Sequence, residues 1–133
     1  MGFRRLPCVS LKIDGRVTPV RVYEAHGFFS RARGLLGSEP LRENEALWIS
    51  PCGSVHTLGM RYAIDVVFLN RRREVVGVKH HVEPARFAAQ PRAHSALELP
   101  AGAATALAIA PGAKLDLQVG QQAHSPELRK VLS

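Results

Sequence analysis

P-C-G-S-V-H-T-L-G-M-R-Y-A-I-D-V-V-F-L-N, residues 51–70, decides how this chain is read. Its second half, Ala63 to Leu69, is rich in β-branched and aromatic residues and too short for an ordinary helix. That pattern predicts a strand, apolar on both faces apart from Asp65. A carboxylate in such a run is costly to bury unless something neutralises or hydrogen-bonds it. Arg61, four residues earlier, is the expected partner, so Arg61 and Asp65 are expected to form a structural ion pair. Backbone N–H groups are the other way to satisfy the carboxylate.

Outward from this strand, Asn70 to Arg73 reads as a polar turn and Glu74 to His81 as a returning strand. Upstream, Val9 to Glu24 alternates apolar and polar residues around Asp14-Gly15, a strong hairpin signal. Ser30 can cap a short helix that runs through Leu36 and ends at Gly37. Leu47 to Ile49 is a short strand stopped by Pro51. Downstream, Pro84 to Pro91 reads as a connecting loop and Ser95 to Leu99 as a strand. Ala101 to Ile109 is Ala-rich enough for a short helix. Pro111-Gly112 marks a turn, and Lys114 to Val119 is a last strand. The expected fold is α+β: a β-rich, compact, bent sheet or barrel with two or three short helices. Residues 1–8 read as an N-terminal arm and 9–119 as one globular domain. Residues 120–133 read as a C-terminal tail, with a possible short helix at Ser125-Pro126-Glu127.

The 133 residues suit one domain, and 46% are hydrophobic, enough for a core. Eighteen Lys and Arg against 11 Asp and Glu give a net charge of +7. The cations are scattered over Arg4-Arg5, Arg31-Arg33, Arg71-Arg72-Arg73 and Arg129-Lys130. Only 6% of residues are aromatic, too few for a base-stacking platform, so sequence-specific nucleic-acid binding is not expected. Two cysteines, Cys8 and Cys52, cannot make a disulfide scaffold for this length. Asp14 and Gly15 interrupt any apolar run after the charged start, and no run reaches membrane-helix length. No membrane partner is therefore expected, and the cytoplasm, with both thiols reduced, is the expected compartment.

The chemistry-bearing residues gather around the opening stretch. Asp65 could act as a general base, and the planar fork of Arg61 could clamp a carboxylate or phosphate. Cys52 and His56 have the spacing C-x-x-x-H, and thiolate and imidazole are good zinc ligands. No second ligand pair at a standard spacing follows, so no metal is expected. No third partner supports Cys52 as a nucleophile either. Trp48 could stack a ligand at a pocket mouth. Ser95 and Glu98 form no catalytic order, since the G-x-S-x-G elbow is missing. Ala101-Gly102-Ala103-Ala104 lacks phosphate-loop and dinucleotide spacing, so no cofactor is expected.

Several pieces together resemble a known family. They are R-G-L-L-G (33–37), V-H-T-L-G-M-R-Y-A-I-D-V-V-F-L-N (55–70), V-x-P (82–84), L-E-L-P-A-G-A-A (97–104) and I-A-P-G (109–112). In this order they resemble domain-of-unknown-function family 192, over about Arg21 to Leu117. The resemblance implies a small β-rich domain and supplies no established activity. The reading that remains is a non-catalytic binding or accessory module. Its pocket near residues 48–65 would use Trp48, His56, Arg61 and Asp65 to hold a small polar or anionic ligand or a protein partner. The alternative is a small hydrolase-like enzyme with Asp65 or His56 as base and Arg61 as clamp.

Overall fold

In the computed structural model, residues 3–26, 40–58 and 60–118 are described. Among the described residues nine strands follow a 3-10 turn at Phe3–Arg5: β1 (Cys8–Ile13), β2 (Arg16–His26), β3 (Glu45–Ser50), β4 (Ser54–His56), β5 (Ile64–Leu69), β6 (Val75–Val82), β7 (Phe87–Ala89), β8 (Ser95–Pro100) and β9 (Leu115–Gln118). Seven of them form one sheet in the order β6-β5-β8-β3-β2-β1-β9, while β4 and β7 form a separate two-stranded ribbon. β2 and β3 pair in parallel, and the other pairs are antiparallel.

The sheet curls until its two ends meet. Glu74 bridges Lys114, and Val75 donates its N–H to the Ala113 carbonyl at 2.8 Å. The result is a curled half-barrel. Its inner face holds Val22, Trp48, Val67, Leu97 and Leu117 in one cluster with Ala104 and Ile109. The outer face is covered in two places. Val55, Met60 and Ala88, from the ribbon and the chain after it, lie on Ile64, Val66 and Phe68. Phe3 lies on the patch of Tyr23, Leu47 and Ile49. The inner cluster on one face and the ribbon on the other explain why every residue of β5 is buried, Asp65 included.

The Asp14-Gly15 hairpin forms as expected, with both residues at positive φ, and so does the hairpin around Asn70–Arg73. Two expectations need correcting. The segment 84–91 is not only a loop, because Phe87–Ala89 pairs with Ser54–His56. The two or three short helices are not borne out: among the described residues there is one four-residue α-helix, α1 (Ala103–Ala106), besides the 3-10 turn. The helix expected at Ser30–Leu36 and the one at Ser125 lie outside the described residues. The expected helix over 101–109 shrinks because the chain enters it through Gly102 at φ 92° and leaves through Ala108 at φ 58°. Both are left-handed conformations that interrupt a helix, and at Gly102 the absence of a Cβ makes the turn affordable. Among the described residues no helix is long and apolar enough to cross a membrane.

Candidate ligand-binding site

Asp65 is fully buried, and its carboxylate is a backbone clamp. Oδ1 accepts the His81 N–H at 2.9 Å, and Oδ2 accepts those of Gly102 at 3.0 Å and Ala104 at 2.9 Å. One side chain therefore ties the irregular end of β6, where His81 has φ 50°, to the turn that starts α1. The expected ion pair with Arg61 is not among its contacts. Arg61 is exposed on the segment before β5, while Asp65 lies sealed in the sheet. Spacing explains the error: four residues bring side chains together on a helix, but along an extended strand they span about 13 Å. A carboxylate sealed under three N–H donors has no open approach for a substrate proton, which removes the geometric support for Asp65 as a base.

The other three expected site residues separate. Trp48 is 5% exposed within the inner-face cluster, and the Arg73 guanidinium lies 4.9 Å from its ring centroid. It packs within the core instead of standing at a pocket mouth. His56 stands on the ribbon directly opposite Phe87, with ring centroids 6.1 Å apart. Its Nδ1 is buried and has no hydrogen-bond partner among the described residues. Cys52 donates its thiol hydrogen to the Ser54 carbonyl at 2.8 Å. Among the described residues no group of three or more His, Cys, Asp and Glu is placed to hold a metal ion.

What the structure does build beside His56 is a groove between β6 and the ribbon. It has a volume of about 520 Å³, and Lys79, His81, Glu83, Arg86 and Phe87 lie along it. Phe87 is 74% exposed there, although large apolar side chains are usually buried. Two buried polar side chains from the opening stretch fix its walls. Asp65 holds His81 on one side. On the other, Thr57, fully buried, donates its hydroxyl to the Glu83 carbonyl at 2.6 Å and accepts the Arg86 N–H at 2.8 Å. The Thr57 backbone adds bonds to Arg86 and Ala85 at 2.8 and 3.0 Å. Sequence reasoning missed Thr57, Lys79, Arg86 and Phe87. The one available signal was an isolated Phe in the small-residue run P-A-R-F-A-A-Q.

Among the described residues three further carboxylates, Glu24, Glu45 and Glu98, are buried away from this groove. Glu98, 1% exposed, pairs across the sheet with Leu47 and Val66 on the outer face. Glu45, beside the N-terminal turn, receives the Arg4 guanidinium as a fork, with 2.8 Å to each oxygen, and the Arg42 N–H at 2.8 Å. Burial pushes the Glu45 carboxyl upward, but these donors outweigh it and hold the group below its ordinary value. Burial raises the Cys8 thiol and the Tyr23 phenol nearby, so neither is activated as a nucleophile.

With this geometry in place, the chain belongs to domain-of-unknown-function family 192, described as "Uncharacterized ACR", whose model matches residues 9–117. It is similar to the UPF0127 protein of Pyrococcus furiosus, 34% identical over 108 residues, which cover 77% of this chain and 90% of that protein. Two crystal structures share the fold. One, from Novosphingobium aromaticivorans, is a protein of unknown function: 21% identity, TM-score 0.69, covering 84% of this chain and 86% of that one. The other is a candidate transcription regulator from Sinorhizobium meliloti: 16% identity, TM-score 0.73, covering 84% and 95%.

Proposed function

We propose that this domain is a non-catalytic binding module that takes a small anionic ligand in the groove between β6 and the β4–β7 ribbon. The observation that carries the reading is the pair of buried anchors. Thr57 through its hydroxyl and Asp65 through Oδ1, both 0% exposed, each hold the backbone of one wall of the groove. Buried polar side chains committed to a loop backbone fix its shape before a ligand arrives, which lowers the ordering cost of binding. The groove is within the usual size range for small-molecule sites. Lys79 and Arg86 supply two permanent cations against the single carboxylate of Glu83. Phe87 offers an apolar surface, and the His56 ring lies 6.1 Å from it, its buried Nδ1 without a partner among the described residues. In the tautomer that carries hydrogen on Nδ1, it can donate to a ligand oxygen once the Phe87 ring moves.

The test is amide-shift mapping with mixtures of small carboxylates and phosphates. The expected shifts fall on Lys79, His81, Arg86 and Phe87. Lys79→Ala and Arg86→Ala are each expected to weaken binding about tenfold, the effect of losing one hydrogen bond to a charged group. Repeated binding at another surface, with these four residues unmoved, would overturn the proposal.

A further inference from the structure

The turn between β5 and β6 carries a second, independent surface. Its shape is set by Asn70. The Asn70 Oδ1 accepts the N–H groups of Arg72 at 2.9 Å and Glu74 at 3.0 Å, and its amide donates to Glu74 Oε1 at 2.9 Å. Arg73, at φ 61°, turns inward over Trp48. Arg71 and Arg72 are left exposed on a fixed turn, and among the described residues neither guanidinium has a carboxylate partner. The Lys114 ammonium reaches across the seam to the Arg72 carbonyl, bringing a third cation beside them. Arg92, exposed on the neighbouring turn, adds a fourth.

Two shallow grooves run from this point, of about 410 and 490 Å³, and both are lined by Arg71 and Arg72. Arg92 and His94 line the first, and Lys114 and Asp116 the second. The acids nearby are partly committed: Glu74 is held by Asn70, and Asp14 accepts the Lys114 backbone N–H at 2.9 Å.

We infer that this surface binds the phosphate backbone of nucleic acid without reading sequence. A planar guanidinium fork matches a phosphate, and an arginine pair shared by two adjoining grooves suits a chain of repeated anions more than a single one. The contacts are backbone contacts, because no exposed aromatic lines either groove to stack a base. A lipid surface fits less well. Interfacial binding combines cations with inserted apolar side chains, and the exposed large apolar residues among those described, Val17, Leu58 and Phe87, lie outside both grooves.

The experiment is fluorescence anisotropy of the full chain with a labelled mixed-sequence DNA duplex, from about 50 to about 200 mM salt. With Arg71, Arg72 and Arg92 each neutralising one phosphate, log K should fall against log salt with a slope of about −2.7. Arg71→Gln/Arg72→Gln should reduce that slope to about −0.9, with unchanged circular dichroism, while the control Arg61→Gln leaves it as it was. A second duplex of unrelated sequence should bind equally. The inference is overturned by no binding at about 50 mM salt, by an unchanged slope in the double variant, by binding that discriminates between duplexes, or by phosphatidylserine vesicles or polyglutamate binding where the duplex does not.

Discussion

Replacing Asp65 by Asn tests the clamp directly. The native carboxylate accepts three N–H groups on two oxygens. An amide keeps one of those oxygens. If that oxygen stays with Gly102 and Ala104, the new NH2 faces the His81 N–H, donor against donor. One hydrogen bond to a charged acceptor is lost, about 1.5–3 kcal/mol, and an unsatisfied buried donor adds about 1–3 kcal/mol. Removing the desolvation cost of the charge offsets part of this, so the expected loss is about 3 kcal/mol. That is a large share of the roughly 5–15 kcal/mol that holds a domain together. At this chain length it corresponds to a fall in Tm of about 10 °C. Urea melts followed by the fluorescence of the sole tryptophan, Trp48, give the measurement. Arg61→Met belongs in the same experiment. It should cost little, and its effect should add to that of Asp65→Asn within about 0.5 kcal/mol. A loss below about 1 kcal/mol for Asp65→Asn, or clear coupling to Arg61, would refute the clamp.

Three other outcomes are expected. Gly77 sits where an added Cβ would meet the far end of the flexible Gln90 side chain, which can swing aside, so Gly77→Ala should cost less than about 1 kcal/mol, and Gln90→Ala in the same chain should remove that cost in thermal melts. Glu45 has a lowered folded pKa, so its stabilisation is complete above the ordinary carboxylate value of 4.5 and is lost as pH falls through the depressed one. Glu45→Gln should therefore be less stable than the parent at neutral pH, with the gap closing in acid; a gap independent of pH would contradict the Arg4 fork as its source. Elemental analysis of untagged protein should find no stoichiometric zinc; one tightly held metal per chain, lost in Cys52→Ala, would show that Cys52 has ligand partners after all.

The sequence made the long elements readable because their signals are local. Asp14-Gly15 encodes its turn within two residues, and Ala63 to Leu69 has too many β-branched residues to be anything but a strand. β4 and β7 escaped because three residues are too few to show a period of two. The site was half legible for a related reason. The stretch 51–70 does hold the residues that build the groove, but Thr57 and Asp65 act on backbone 16 to 39 residues away. Nothing in spacing reveals such partners. Arg61 looked like the answer to Asp65 because it was the nearest cation along the chain, and the sheet supplied a different answer from β6 and the turn before α1.

The Asp65 clamp has a consequence for how the molecule breathes. The amides of His81, Gly102 and Ala104 come from two segments on opposite sides of β5, yet they share one acceptor. None of the three can exchange its hydrogen with solvent by this route without leaving that carboxylate. The edge of β6 and the first turn of α1 are thereby joined into one unit of local opening, although they are about 20 residues apart. In native-state hydrogen exchange the three amides should report a common opening free energy. In Asp65→Asn they should separate, with His81 exchanging first.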